Sequence, residues 1–379
     1  MRAVFHHPGG RWCGEARAFV AAARGLAAQG WQARLATPPG SPAHVQAERA
    51  GVPTAALDGA ISIVAAVGGL ARIVRGLAAE VVFAHGGRGH AVAAGAVWRA
   101  GRGAVVRRVP AGASLVLGGA AARAALRTAS TGFLCTWPEQ AEAVPPAARS
   151  SVVVADLGVP SDGDNDASAP ADTPDSAPSG GRRIVCAYEP TAHLRVATVL
   201  RAVAMLAPRH PDLRVVLAGP GAADEGLRMH AAALGIHHLV RVHDPGRNAE
   251  VGAGGAASAD AARADANLAG AAAAWVVAAG DDGAFGALDA MAAGVPVLAE
   301  RGATAARYVA DAITGLHLAP NDVPGTAAVL AQLLAGDDAR RAMGNAGRAR
   351  VARTYTEAAM LDGFARAAAA ARGGARWRG

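Results

Sequence analysis

Short apolar runs alternate with Ala-rich stretches of helical length along nearly the whole chain, and the alternation occurs twice. In the first half the runs are RAVFHH, WQARLAT, AEVVFAHG, GAVVRRVP, GFLCTW and SVVVADLG, with a helix predicted over 15–29. Runs this uniformly apolar need cover on both faces of a sheet, which crossover helices between parallel strands supply. The pattern predicts a doubly wound, Rossmann-like α/β domain over 1–159. From Pro160 the chain reads PSDGDNDASAPADTPDSAPSGG, where five Asp and many Ser, Pro and Gly leave almost nothing to pack. Such a segment cannot repay its ordering entropy, so 160–182 is predicted to be a disordered linker. The alternation then resumes with RRIVCAYEP, DLRVVLAGPG, LVRVHD, AAWVVAAG and VPVLAER. Helices are predicted over 194–207, 222–234 and 285–293, which makes 183–355 a second Rossmann-like domain. Thr356 is a fitting N-cap for a terminal helix over 356–379. Two such domains are expected to face each other across a cleft, with ligands outside the carboxyl ends of the strands.

Composition narrows the function. With 379 residues the chain is longer than one core normally serves. No run is long and apolar enough to predict a membrane-spanning helix, and the opening MRAVFHHPGG does not resemble a secretory signal. Cys13, Cys135 and Cys186 lie far apart without a CxxC pair, which argues against a disulfide framework and for a reducing cytoplasm. His237, His238 and His243 lack Cys or Glu at ligand spacing, so no metal is expected. Formal charge is +7, and every basic residue is Arg. The arginines are dispersed rather than clustered, which argues against nucleic-acid binding; the balance suits anionic membrane surfaces or phosphorylated substrates.

One segment concentrates candidate chemistry: WVVAAGDDGAFGALDAMAAGVPVLAER, residues 275–301. The apolar run predicts a buried strand, DDGA a loop, and FGALDAMAAG a helix stopped by Gly294 and Pro296. Asp281 is then expected on the loop at the sheet's carboxyl edge. Asp289 is expected about one turn into the helix, within reach of hydroxyl groups on a ligand lying over the helix N-terminus. The backbone N–H groups of Gly283, Ala284, Phe285 and Gly286 are expected to face a phosphate there. The competing reading is that these carboxylates only complement the helix dipole, worth about 0.3–1 kcal/mol. His85 closes the run AEVVFAH, and its ordinary pKa suits acid–base or hydrogen-bonding work as well as it suits a structural hydrogen bond. HGGRGH is not followed by Gly-Lys-Ser/Thr, and LAGPGAADEG lacks the third glycine of a dinucleotide fingerprint, which excludes a P-loop and argues against NAD.

GDDGAFGALDAMAAGVPVLAE, with the downstream VADAITGLHLAPND, resembles the C-terminal signature of glycosyltransferase family 4, retaining enzymes of the GT-B fold. That signature holds two glutamates separated by seven residues, then Ala-Met-Ala, Gly-x-Pro-Val and an Asp-Gly-x-Thr-Gly-Leu turn. Asp281 and Asp289 stand at the two acidic positions with the same spacing. GGRWCGEARAF is similar to the family's first glycine loop, matching at Gly14 and Glu15, and AEVVFAHGG is similar to its DVVHAH strand, matching at His85. The resemblance implies transfer of a sugar from a nucleotide-sugar donor to an acceptor hydroxyl with retention, needing no metal or cofactor. In that scheme Asp281 and His85 serve the reacting groups, Asp289 grips the ribose, and Gly14 with Gly283 to Gly286 lies near the sugar and diphosphate. It further implies a lipid-linked or glycan acceptor in cell-envelope or polysaccharide synthesis, peripheral contact with the inner membrane surface, and return of the terminal helix to the first domain.

Departures accompany the match. The family's diphosphate-binding Arg and Lys align with Glu189 and Leu194, leaving His193 and Arg195 as neighbouring substitutes. Pro110 stands where the family carries a Thr-x-His histidine, with Arg107 and Arg108 just before it. These losses keep two other readings open, a catalytically degenerate GT-B binding or partner protein, and a sugar-nucleotide epimerase or hydrolase.

Overall fold

The computed structural model describes residues 1–57, 62–117, 120–160, 182–188, 193–219, 225–243, 268 and 270–374. Except for its two end residues, the predicted linker lies outside them. The chain divides into two compact units, one comprising 1–157 with 357–379 and the other 158–356.

The first unit holds a parallel seven-stranded sheet: β1 (Arg2–His6), β2 (Gln32–Thr37), β3 (Thr54–Ala56), β4 (Val81–His85), β5 (Ala104–Val109), β6 (Thr131–Cys135) and β7 (Val152–Val154). Their order is β3-β2-β1-β4-β5-β6-β7. Crossovers run through α1 (Gly14–Ala28), α2 (Pro42–Arg49), α3 (Ile63–Leu77), α4 (Gly86–Ala100), α5 (Ala120–Thr128) and α6 (Pro138–Glu142). The chain starts at the middle of the sheet, winds to one edge and then crosses back, so the winding direction reverses between β1 and β4. That reversal opens a crevice at the strands' carboxyl ends. Phe5 of β1 and Phe83 of β4 are register partners whose rings stack at 4.7 Å. Phe19 of α1 meets Phe5 edge-on at 5.3 Å, anchoring α1 below the crevice.

The second unit repeats the plan with β8 (Arg183–Ala187), β9 (Arg214–Ala218), β10 (Val240–His243), β11 (Ala273–Val276), β12 (Val297–Glu300) and β13 (Gly315–Leu318). Their order is β10-β9-β8-β11-β12-β13, again parallel, with the reversal between β8 and β11. Its helices are α7 (His193–Leu206), α8 (Glu225–Ala233), α9 (Gly280–Ala292), α10 (Val323–Ala335) and α11 (Asp337–Thr354). Trp275 of β11 is fully buried among Cys186, Leu298 and Leu330, at the centre of this core.

The last helix, α12 (Glu357–Gly373), packs in the first unit against β5, β6, β7 and α1. Close approach is what Gly132 permits, since a Cβ there would lie 2.9 Å from that of Ala371. Phe364 brings α12 to the Phe83 ring at 5.3 Å. Thr356, the residue before α12, also bridges to Val159 inside the second unit.

Candidate functional site

In the second unit the crevice between β8 and β11 is bordered by the start of α9. This helix begins at Gly280, five residues earlier than the sequence pattern predicts, so DDGA is its first turn and not a loop. Part of the reason is local. Gly280 has φ of 58°, a conformation that glycine reaches without strain, and this turns the strand straight into the helix. Its N–H then donates to the Thr304 hydroxyl at 3.2 Å, a cap supplied from a distant segment that no local sequence signal indicates.

The earlier start corrects three expectations. Gly283 N–H already donates to the Ala279 carbonyl at 3.1 Å, and Ala284, Phe285 and Gly286 follow it inside the helix, so these N–H groups serve helix bonds and do not face a phosphate. Ala284 is fully buried and Phe285 is 3% exposed, both in the core. Gly283 and Gly286 are explained by packing: a Cβ at 283 would run into the Ala278 carbonyl, and one at 286 would lie 3.2 Å from Val276 Cγ1. Asp289 sits in the third turn, and its carbonyl accepts from Ala293 N–H near the helix end. Eight residues at 1.5 Å each put it roughly 12 Å along the axis from Asp281. Asp281 is 3% exposed in the first turn, where the helix dipole favours a carboxylate, and Asp289 is half-buried.

Across the same carboxyl edge, Arg195 lies half-buried in the first turn of α7, and Glu300 ends β12. Burial pushes the Glu300 carboxyl above its ordinary pKa, and the Arg195 guanidinium opposes that shift, which makes the two electrostatic neighbours. Glu300 escaped the sequence reading because it ends an otherwise unremarkable strand. His193 begins α7, while Glu189 lies outside the described residues. Leu194, standing where the family's lysine aligns, is 88% exposed.

The matching crevice of the first unit gathers histidines. His6 ends β1 and His7 follows it; Gly14 and Glu15 open α1; His85 ends β4 and is the N-cap position of α4. His85 Nε2 faces the Glu15 carbonyl at 3.2 Å, its ring stacks on Phe19 at 3.7 Å, and its Nδ1 is buried without a hydrogen-bond partner. His7 Nε2 faces the Arg11 carbonyl at 3.1 Å. Donor atoms of His7, Glu15 and His85 lie within 4.8 Å of one another, the combination among the described residues able to hold a metal ion. Burial holds His85 well below its ordinary pKa, helped by Arg108, its register partner on β5, and by His7. His85 is therefore a neutral imidazole near pH 7. Arg107 and Arg108 are 4% and 2% exposed; Arg107 donates to the Val116 carbonyl at 3.3 Å. Burial raises the Cys135 and Cys186 thiols to about 11 and about 12, so neither supplies a thiolate.

Two parallel Rossmann-like units in one chain define the GT-B class of fold, and solved structures of that class match nearly the whole molecule. The HepE protein of Anabaena, determined with UDP-glucose, is 13% identical with a TM-score of 0.70, covering 96% of this chain and 98% of its own. Sucrose-phosphate synthase from Thermosynechococcus elongatus is 16% identical with a TM-score of 0.69, covering 96% and 97%. A putative UDP-N-acetylglucosamine 2-epimerase from Listeria monocytogenes is 13% identical with a lower TM-score of 0.62, covering 95% and 93%. At such identities the likeness is one of fold. The family model for glycosyl transferases group 1 matches residues 264–350, the stretch that carries β11, α9 and both aspartates. Together these findings show a GT-B fold whose residues 264–350 are similar to the glycosyl transferases group 1. No curated protein matches the chain in sequence.

Proposed function

We propose that the protein is a retaining glycosyltransferase that takes its sugar from a nucleotide-sugar donor. The observation that carries this reading is the acidic pair on α9, the helix following the central strand at the second unit's winding reversal, inside the segment matched by the family model. A nucleotide sugar is extended, with its donor sugar and its ribose separated by a diphosphate. Asp281 at the head of α9 would take hydroxyls of the sugar, and Asp289, roughly 12 Å along the axis, those of the ribose. The first turn of α9 and the Arg195 guanidinium supply positive potential for the diphosphate leaving group. Retention, His85 as an acid–base group, a lipid-linked or glycan acceptor and a place at the inner face of a membrane rest on the resemblance to family 4; the match of HepE with UDP-glucose supports a nucleotide-sugar donor.

Leu194 favours a second reading. An 88% exposed leucine at the family's lysine position removes a phosphate-neutralising charge, as in a degenerate binding subunit. One experiment separates the readings: titration of UDP-, GDP- and ADP-sugars with measurement of both binding and slow donor hydrolysis, in wild type and Asp289→Ala. An active transferase binds one donor class, hydrolyses it slowly and loses affinity in the variant. Binding without hydrolysis under any condition supports the degenerate reading, and no binding of any donor rejects both.

A further inference from the structure

We propose that His7, Glu15 and His85 form a binding site for one divalent transition-metal ion of the zinc class, an ion that the transferase reading does not require. These residues are far apart in sequence and meet because β1 and β4 are neighbours at the first unit's winding reversal, with α1 starting over the same edge. Their donor atoms already lie within 4.8 Å of one another. Three ligands held tetrahedrally at zinc–ligand distances would stand roughly 3.4 Å apart, so closure needs about an ångström of side-chain movement.

Hydrogen bonding leaves one nitrogen of each ring with its lone pair. A carbonyl oxygen can only accept, so His85 Nε2, facing the Glu15 carbonyl, and His7 Nε2, facing the Arg11 carbonyl, each carry the ring proton. The remaining Nδ1 of each ring then carries a lone pair. This is the outer arrangement that fixes metal-binding histidines, one ring N–H held by the backbone and the other nitrogen presented to the ion. At His85 that lone pair is buried with no partner, on a side chain only 8% exposed, an arrangement that costs stability unless a ligand answers it. The Phe19 ring stacked at 3.7 Å keeps the imidazole from turning away.

Two imidazoles and one carboxylate are the donors of three-ligand zinc sites, whose fourth position stays open to water or a substrate oxygen. Arg108, in register with His85, opposes a cation there, so the affinity should be moderate and should rise when that charge is removed.

The test uses the full-length chain after chelator treatment, titrated with Zn²⁺ by calorimetry and with Co²⁺ by its visible ligand-field absorption. One ion is expected to bind per chain, with intense Co²⁺ bands of low coordination number. Glu15→Gln and His7→Asn should each weaken binding about tenfold or more, Arg108→Gln should tighten it, and His44→Asn, removing a histidine paired with Glu48, should change nothing. Because the Glu15 side chain is only half-buried, its variant should keep the fold even if His7→Asn does not, and circular dichroism checks both. Absence of stoichiometric binding, or binding indifferent to Glu15→Gln, overturns the proposal. No donor sugar enters this readout, so its failure leaves the transferase reading untouched.

Discussion

The Gly280 N–H donates to Thr304 Oγ1 at 3.2 Å, tying the first turn of α9 to the 3₁₀ turn Thr304–Arg307 that follows β12. Thr304 is 8% exposed, so water cannot readily replace its hydroxyl. We predict that Thr304→Ala lowers unfolding free energy by about 1 kcal/mol and weakens donor binding, whereas Thr304→Ser keeps most of both. Urea unfolding and donor calorimetry measure the two effects; equal behaviour of Ala and Ser would rule out the cap.

Two glycines of α9 should respond differently to the same substitution. Gly283→Ala drives a Cβ into the Ala278 carbonyl, a backbone group that cannot rotate aside, and should destabilise by about 1–3 kcal/mol. Gly286→Ala meets the Val276 methyl at 3.2 Å, which can yield slightly, and should lose less. Denaturation midpoints give the order directly, and a reversed order would contradict the packing account.

Stability of the first unit should fall in acid. Burial holds His6 at about 4 and His90 at about 3, against an ordinary value of 6.5, with His85 also well below. Between 6.5 and about 4 the unfolded chain takes up protons that the folded unit refuses, so unfolding free energy decreases as pH falls. Above 6.5 both states are neutral and the contribution is complete. Each fully buried histidine adds a slope of up to about 1.4 kcal/mol per pH unit in that window. Urea unfolding across the range should show the slope, reduced by one histidine's share in His90→Gln; a flat profile below pH 6.5 would refute it.

Arg195 restrains the upward shift of the Glu300 carboxyl. Arg195→Gln should therefore raise the Glu300 pKa further, which carboxyl-carbon NMR titration reads without reference to turnover. Under the proposed function the same variant weakens donor affinity about tenfold or more, the loss expected for a charge-assisted contact. An unchanged Glu300 titration would mean that the two side chains do not face each other.

The sequence alone determined the layers and where the strands and most helices lie. Apolar runs too uniform for a half-exposed sheet leave a buried parallel sheet as the economical solution, and helices predicted at 15–29 and 194–207 appear at Gly14–Ala28 and His193–Leu206. The spacing of Asp281 and Asp289 was legible too, because it is a property of the chain. What tertiary structure decided is every relation between segments that are distant along the chain. The start of α9 depends on a hydroxyl supplied by Thr304, so a pattern read locally placed that start five residues late and misjudged which N–H groups face outward. Glu300 feels the charge of Arg195, and His7 meets Glu15 and His85, only because the strand order brings segments distant along the chain to the same carboxyl edge. Periodicity encodes which face of an element is buried. Which side chains share a crevice follows from strand order, which exists only once the sheet has formed.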